Sequence, residues 1–175
     1  SAHHTLTCGH LSGLRIRRHN LLQNALHDIY SAVGLSTSLE PHDRDLHTHT
    51  PSGPGFHKRT DILVTGTEQT WSLDVSIVHP GSHSYRNAAS IREGNSTRLV
   101  ENRKRIAHER SDSQGFQFTP FVIETYGFLG QDAQRLLRKL RRLGDKEFPG
   151  SNEGFSSWMS LELSIALAIG NAKFF

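Results

Sequence analysis

The sequence predicts an α/β fold, a mixed β-sheet core flanked by helices, on three observations. Apolar residues recur at spacings near 3.6 from Leu14 through Leu21, Leu22, Leu26 and Ile29 to Val33, the period of an amphipathic helix. Trp71, Leu73, Val75 and Ile77 alternate with Ser72, Asp74 and Ser76, the period of a strand. The elements then follow as helix, strand hairpin, helix, strand, helix, helix, an order that suits helices laid over a sheet.

In chain order, Ser12 is a plausible N-cap for the first helix and Gly34 ends it. Residues 36–58 carry three prolines and four histidines with little apolar content, so they predict a long loop. Ile62-Leu63-Val64 and Trp71 to His79 predict a hairpin around residues 66–70. Residues 82–97 are ambiguous, and Leu99 to Ala107 reads as a basic helix. Phe118 to Tyr126 is the third strand, and Gln131 to Leu143 an amphipathic helix capped by Gly144. Residues 145–155 predict a polar loop, and Ser156 to Ile169 a last, more apolar helix.

The chain has 175 residues and 35 % hydrophobic content, enough for one domain with long polar loops. No stretch approaches the ~20 apolar residues of a membrane span. A single cysteine, Cys8, excludes an internal disulfide framework and favours a reducing, intracellular setting. The net charge of +3 is mild, but the cations are grouped: Arg15, Arg17, Arg18 and His19; Arg98, Arg103, Lys104, Arg105 and Arg110; Arg135, Arg138, Lys139, Arg141 and Arg142. One such cluster is as well explained by a solvated helix face. Three in one small domain point to phosphate contacts and hence nucleic acid.

Two carboxylates stand out. Asp61 opens the first strand, and Asp74 sits inside the second, where aspartate is depleted. Residues 13 apart across a hairpin turn meet near one end of it. Two carboxylates converging there repel unless a cation lies between them, and all-oxygen ligands favour Mg²⁺ or Mn²⁺. The alternative is that Asp61 begins a turn and Asp74 faces solvent on an edge strand.

The run Lys58-Arg59-Thr60-Asp61-Ile62-Leu63-Val64 followed by Leu73-Asp74-Val75-Ser76-Ile77-Val78 resembles the catalytic hairpin of the restriction-like endonuclease domain of site-specific non-LTR retrotransposons, within the PD-(D/E)XK superfamily. Glu101-Asn102-Arg103-Lys104 with His108 is similar to that family's lysine-bearing helix, and Phe118 to Gly127 to its last core strand. Arg15, Arg18 and His19 are similar to the arginine-and-histidine signature joining a zinc knuckle to the nuclease. His3 and Cys8 resemble the last two ligands of a CCHC knuckle. The similarity covers roughly residues 3–143 and departs from the family at several positions. Thr60 replaces the usual proline, Ser76 stands where most members place the lysine, and His108 replaces a tyrosine. Both cysteines that would open the knuckle are missing.

The resemblance implies a restriction-endonuclease-like domain over residues 11–175, preceded by a knuckle remnant over 1–10 in which Zn²⁺ is not expected. It implies a Mg²⁺- or Mn²⁺-dependent, nuclear DNA endonuclease whose nick supplies a 3′-hydroxyl primer to the reverse transcriptase domain of a parent polyprotein, with element RNA as a further partner. Asp61 and Asp74 would hold the metal, with the Val75 carbonyl as a further ligand and Lys104 as the migrated catalytic lysine. Arg15, Arg18, His19, Lys58, Arg59 and Arg103 would contact nucleic acid. Glu40 and Glu124 are further carboxylates within possible reach. The rival reading is a catalytically inactive DNA- or RNA-binding module derived from such a domain.

Overall fold

The computed structural model describes residues 12–41, 60–66, 69–109, 116–147 and 152–172. Helix α1 (Ser12–Ala32) leads into β1 (Ser36–Leu39), β2 (Ile62–Thr65) and β3 (Thr70–Val78). Helices α2 (Arg86–Ile91) and α3 (Asn95–Glu109) precede β4 (Gln117–Glu124), and α4 (Gln131–Glu147) and α5 (Asn152–Ala172) follow. The strands form one sheet in the order β1-β2-β3-β4. The first three are antiparallel, and β3 and β4 are parallel. A parallel pair needs a crossover, which α2 and α3 supply.

Helix α1 ends as its glycine predicts. Gly34 takes a φ of 75°, its N–H donates to the Ser31 carbonyl, and the Leu35 N–H reaches back to Tyr30, the paired bonds of a Schellman close. Alternation along β3 sorts the sheet faces. Leu73 and Val75, with Phe121 and Ile123 of β4, join the main core against Leu22, Leu26 and Ile29 of α1, Leu136 and Leu140 of α4, and Met159 and Leu163 of α5. Val78 and Val122 point the other way and meet Val100 of α3. Burying these side chains supplies about 1.5–3 kcal/mol each before chain entropy is counted.

Three sequence expectations change. Residues 36–39 are a strand rather than loop: Ser-Thr-Ser-Leu lacks an apolar run because β1 is a half-exposed edge. Gly144 does not stop α4, which continues to Glu147. A glycine is needed there because the Phe155 ring of α5 lies where its Cβ would stand. The ambiguous span contains the short helix α2, and α3 starts at Asn95, earlier than the basic stretch suggested. Pro120 sits inside β4, which tolerates it as the edge strand of the sheet; the bridge from Ile123 to Leu129 on the outer side lies further along. Residues 1–10, which include His3 and Cys8, lie outside the described residues, as do Lys58 and Arg59.

Candidate functional site

The site forms where the β2–β3 ladder ends. The last register pair is Ile62 with Leu73, and one step beyond it stand Asp61 and Asp74. Opposed residues of antiparallel strands face the same side with Cβ atoms about 4.5–5.5 Å apart in a regular ladder. Here Asp61 turns inward: its N–H donates to the Leu73 carbonyl at 3.0 Å, and its carbonyl accepts from Glu40 N–H at 2.9 Å and from Gln23 Nε2 at 2.6 Å. Its Oδ2 accepts the Val75 N–H at 2.6 Å. Four tethers, from α1, the residue after β1, and β3, therefore fix this one residue.

Asp74 belongs to an interior strand, so it is not on an edge, and it is only partly exposed. Lys104 and His108, one turn apart on α3, share a helix face and both turn to it. The Lys104 ammonium bonds Asp74 Oδ1, and His108 Nε2 lies 3.6 Å from Oδ2. The His108 ring stacks on Phe118 of β4, centroids 3.7 Å apart and planes within 9°, which holds the imidazole in place. Burial alone would raise the Asp74 pKa. The hydrogen bond to His108 and the charge of Lys104 outweigh it and hold the carboxyl below its ordinary value.

His19 comes from the other side. Its Nε2 is 3.5 Å from Asp61 Oδ1. Its pKa is raised, first by that hydrogen bond; burial and Lys104 oppose, and the charges of Asp61 and Asp74 assist. Asp61, Asp74, Lys104 and His19 thus form one electrostatic group drawn from α1, β2's entry, β3 and α3. Beside it a groove of about 600 Å³ runs from His19 and Val75 past Ser76 to His79 and His83. Arg15 and Arg18 line it, as does Ser82, whose buried hydroxyl has no hydrogen-bond partner among the described residues.

Several expected residues play other parts. Val75 meets the pair through its N–H rather than its carbonyl. Arg18 is not on the polar face of α1; it is buried, its Nη1 bonds Asn171 Oδ1 at 3.1 Å, and its stem packs on Gly170 of α5. Burial, then repulsion from Arg15, lowers its pKa to about 10. Glu124 is buried four residues along β4 from the position facing Asp74, and it accepts from the Ser96 hydroxyl. That is about 13 Å along the strand, too far to join the pair. The Glu40 side chain is exposed, and its tie to the site is its backbone N–H. Arg15 and Arg103 are exposed as a nucleic-acid contact requires. Gln23, and His108 as an Asp74 partner, were not anticipated. The four-residue spacing of Lys104 and His108 was the available signal.

Among the described residues no group of three or more His, Cys, Asp or Glu side chains is arranged to hold a metal ion. The donor chemistry nevertheless suits Mg²⁺, which commonly takes one or two carboxylates and completes its shell with water and substrate phosphate. Each aspartate keeps one oxygen, Asp61 Oδ1 and Asp74 Oδ2, that faces an imidazole at 3.5 or 3.6 Å.

No family model and no curated protein matches the chain. No helix among the described residues is long and apolar enough to cross a membrane.

Proposed function

We propose that this protein is a metal-dependent DNA endonuclease with a restriction-endonuclease-like core, whose nick offers a 3′-hydroxyl for reverse transcription by a polymerase domain of a parent polyprotein. The observation that carries the reading is the Asp74–Lys104 ion pair. A lysine 30 residues away in sequence comes to the strand aspartate, beside an Asp61 already fixed on Val75.

In this reading Asp61 and Asp74 would hold Mg²⁺ or Mn²⁺, which when bound would acidify water and neutralise charge at the scissile phosphate. The chain's own groups do the rest. Lys104 presents a compact cation to a nonbridging phosphate oxygen or to the attacking water. His108 and Phe118 keep Asp74 charged and oriented. Arg15 and the Ser82 hydroxyl, in the adjoining groove, receive backbone phosphates. Water adds to phosphorus, losing a proton to solvent, as the bond to the 3′ oxygen breaks; that oxygen takes a proton from solvent and leaves as the hydroxyl primer, with the phosphate on the 5′ side.

A second reading, a binding module without turnover, is favoured by the same ion pair: Lys104 neutralises the charge that would draw a cation to Asp74. Nicking of supercoiled plasmid with Mg²⁺ or Mn²⁺ separates the two. The nuclease reading requires nicking by the native protein and its loss in Asp61→Asn and Asp74→Asn. Salt-sensitive DNA binding without nicking, or equal nicking by the variants, overturns it.

A further inference from the structure

A second concavity lies between α4, the start of β4 and the C-terminal end of α1. Its volume is about 570 Å³, within the roughly 300–1,000 Å³ common for ligand sites. Its interior is apolar and aromatic, with Leu35, Trp71, Phe118 and Leu140 among the lining residues. The Trp71 indole is held by its Nε1, which donates to Gln117 Oε1 at 3.0 Å.

Two features of its walls require explanation. Tyr30 lines it, is 2 % exposed, and its buried hydroxyl has no hydrogen-bond partner among the described residues. Burial raises the Tyr30 pKa, so the hydroxyl stays protonated and keeps a proton to donate. A buried polar group left without a partner is costly, which marks a place where a ligand could supply one. The rim is cationic: Arg135, Lys139, Arg142 and Lys146 recur at helical spacing along one side of α4, over about 16 Å. Arg135 and Arg105 are engaged by Asp132, the one carboxylate among the described lining residues. Lys139, Arg142 and Lys146 pair with no described carboxylate.

We propose that this cleft binds single-stranded nucleic acid, one unpaired base entering between Trp71 and Tyr30 while the phosphates follow the cations of α4. The alternatives match less of the cleft. A lipid tail has no use for a buried hydroxyl. The apolar face of an acidic helix has already spent its backbone polar groups. A base offers an aromatic face for stacking and an edge that can bond Tyr30, and its own backbone carries the negative charges the rim expects. A duplex cannot enter, because its bases are stacked and paired. The inference is independent of whether the protein cuts DNA.

The test uses the full chain in EDTA, so that nothing is cleaved, with Trp158→Phe as background to leave Trp71 as the only tryptophan. Three probes are a thymidine dodecamer, an abasic backbone of equal length and a duplex. The expected result is Trp71 quenching by the dodecamer alone, with affinity about ten-fold above the abasic strand. Tyr30→Phe, which removes only an unpartnered hydroxyl and should fold at least as stably, weakens the dodecamer several-fold and leaves the abasic strand unchanged. Lys139→Glu with Arg142→Glu weakens both strands at least ten-fold. Equal binding of dodecamer and abasic strand without quenching reduces the stripe to a general polyanion surface and overturns the proposal. So does stronger binding and quenching by an acidic amphipathic peptide, which would assign the cleft to a protein partner. Plasmid nicking is unaffected by any of these outcomes, so the two proposals fail separately.

Discussion

Asp61 accepts the backbone N–H of Val75 through Oδ2 at 2.6 Å, beyond the point where strand β2 has ended. The carboxylate stands in for the backbone acceptor that β2 no longer supplies, while its other oxygen faces His19. Asp61 thus has a structural duty and a candidate chemical one, and substitutions can divide them.

Asp61→Ala leaves the Val75 N–H without its acceptor and should cost about 1–3 kcal/mol in denaturant unfolding. Asp61→Asn keeps an oxygen in place and should stay within about 1 kcal/mol of the native protein, yet nick no better than the alanine variant. Equal stabilities for the two would show that the hydrogen bond contributes nothing.

His19 should titrate above its ordinary value of 6.5 in metal-free protein, followed by its imidazole proton shifts. Because the folded pKa is the higher one, its stabilising contribution is complete below the unfolded value. It is lost as pH rises through the folded pKa. Asp61→Asn should lower the His19 midpoint, and an unchanged midpoint would mean the imidazole and the carboxylate do not communicate.

Asp74 has the opposite sign. Held below the ordinary 3.8, it stabilises the fold above that pH and loses the contribution as pH falls through its lower folded value. Lys104→Met removes one of its two partners and should cost about 1–3 kcal/mol at pH 7, with the deficit shrinking as pH falls below 3.8. A deficit that stays constant across that range would assign the cost to packing instead.

Gly144→Ala sets two effects against each other. Helix propensity favours alanine by about 1 kcal/mol. The added methyl meets the Phe155 ring, which is buried, and overpacking of this kind costs about 1–3 kcal/mol. The melting temperature should fall, and Phe155→Leu in the same chain should recover part of the loss. A rise in the single variant would mean that α4 and α5 can separate without penalty.

Helices α1, α4 and α5, the β2–β3 hairpin and the strand over 117–124 were legible because their apolar residues repeat with the period of the element that buries them. The Gly34 stop was legible because only glycine takes that φ cheaply. Gly144 misled for the same reason: a glycine that ends a helix and one that admits a neighbouring ring look alike in one dimension. β1 was hidden because an edge strand of serine and threonine buries too little to leave a pattern.

The sequence by itself determined the α/β class, the pair of strand aspartates, and the lysine and histidine spaced to share a helix face, all properties of local period. Tertiary structure alone decided that Arg18 is buried against α5, that Glu124 is tied to Ser96, and that Lys104 and His108 both meet Asp74. Those outcomes depend on how α3 and α5 lie against the sheet and α1. That placement is set by the summed burial of many apolar side chains, and no short stretch of sequence carries it.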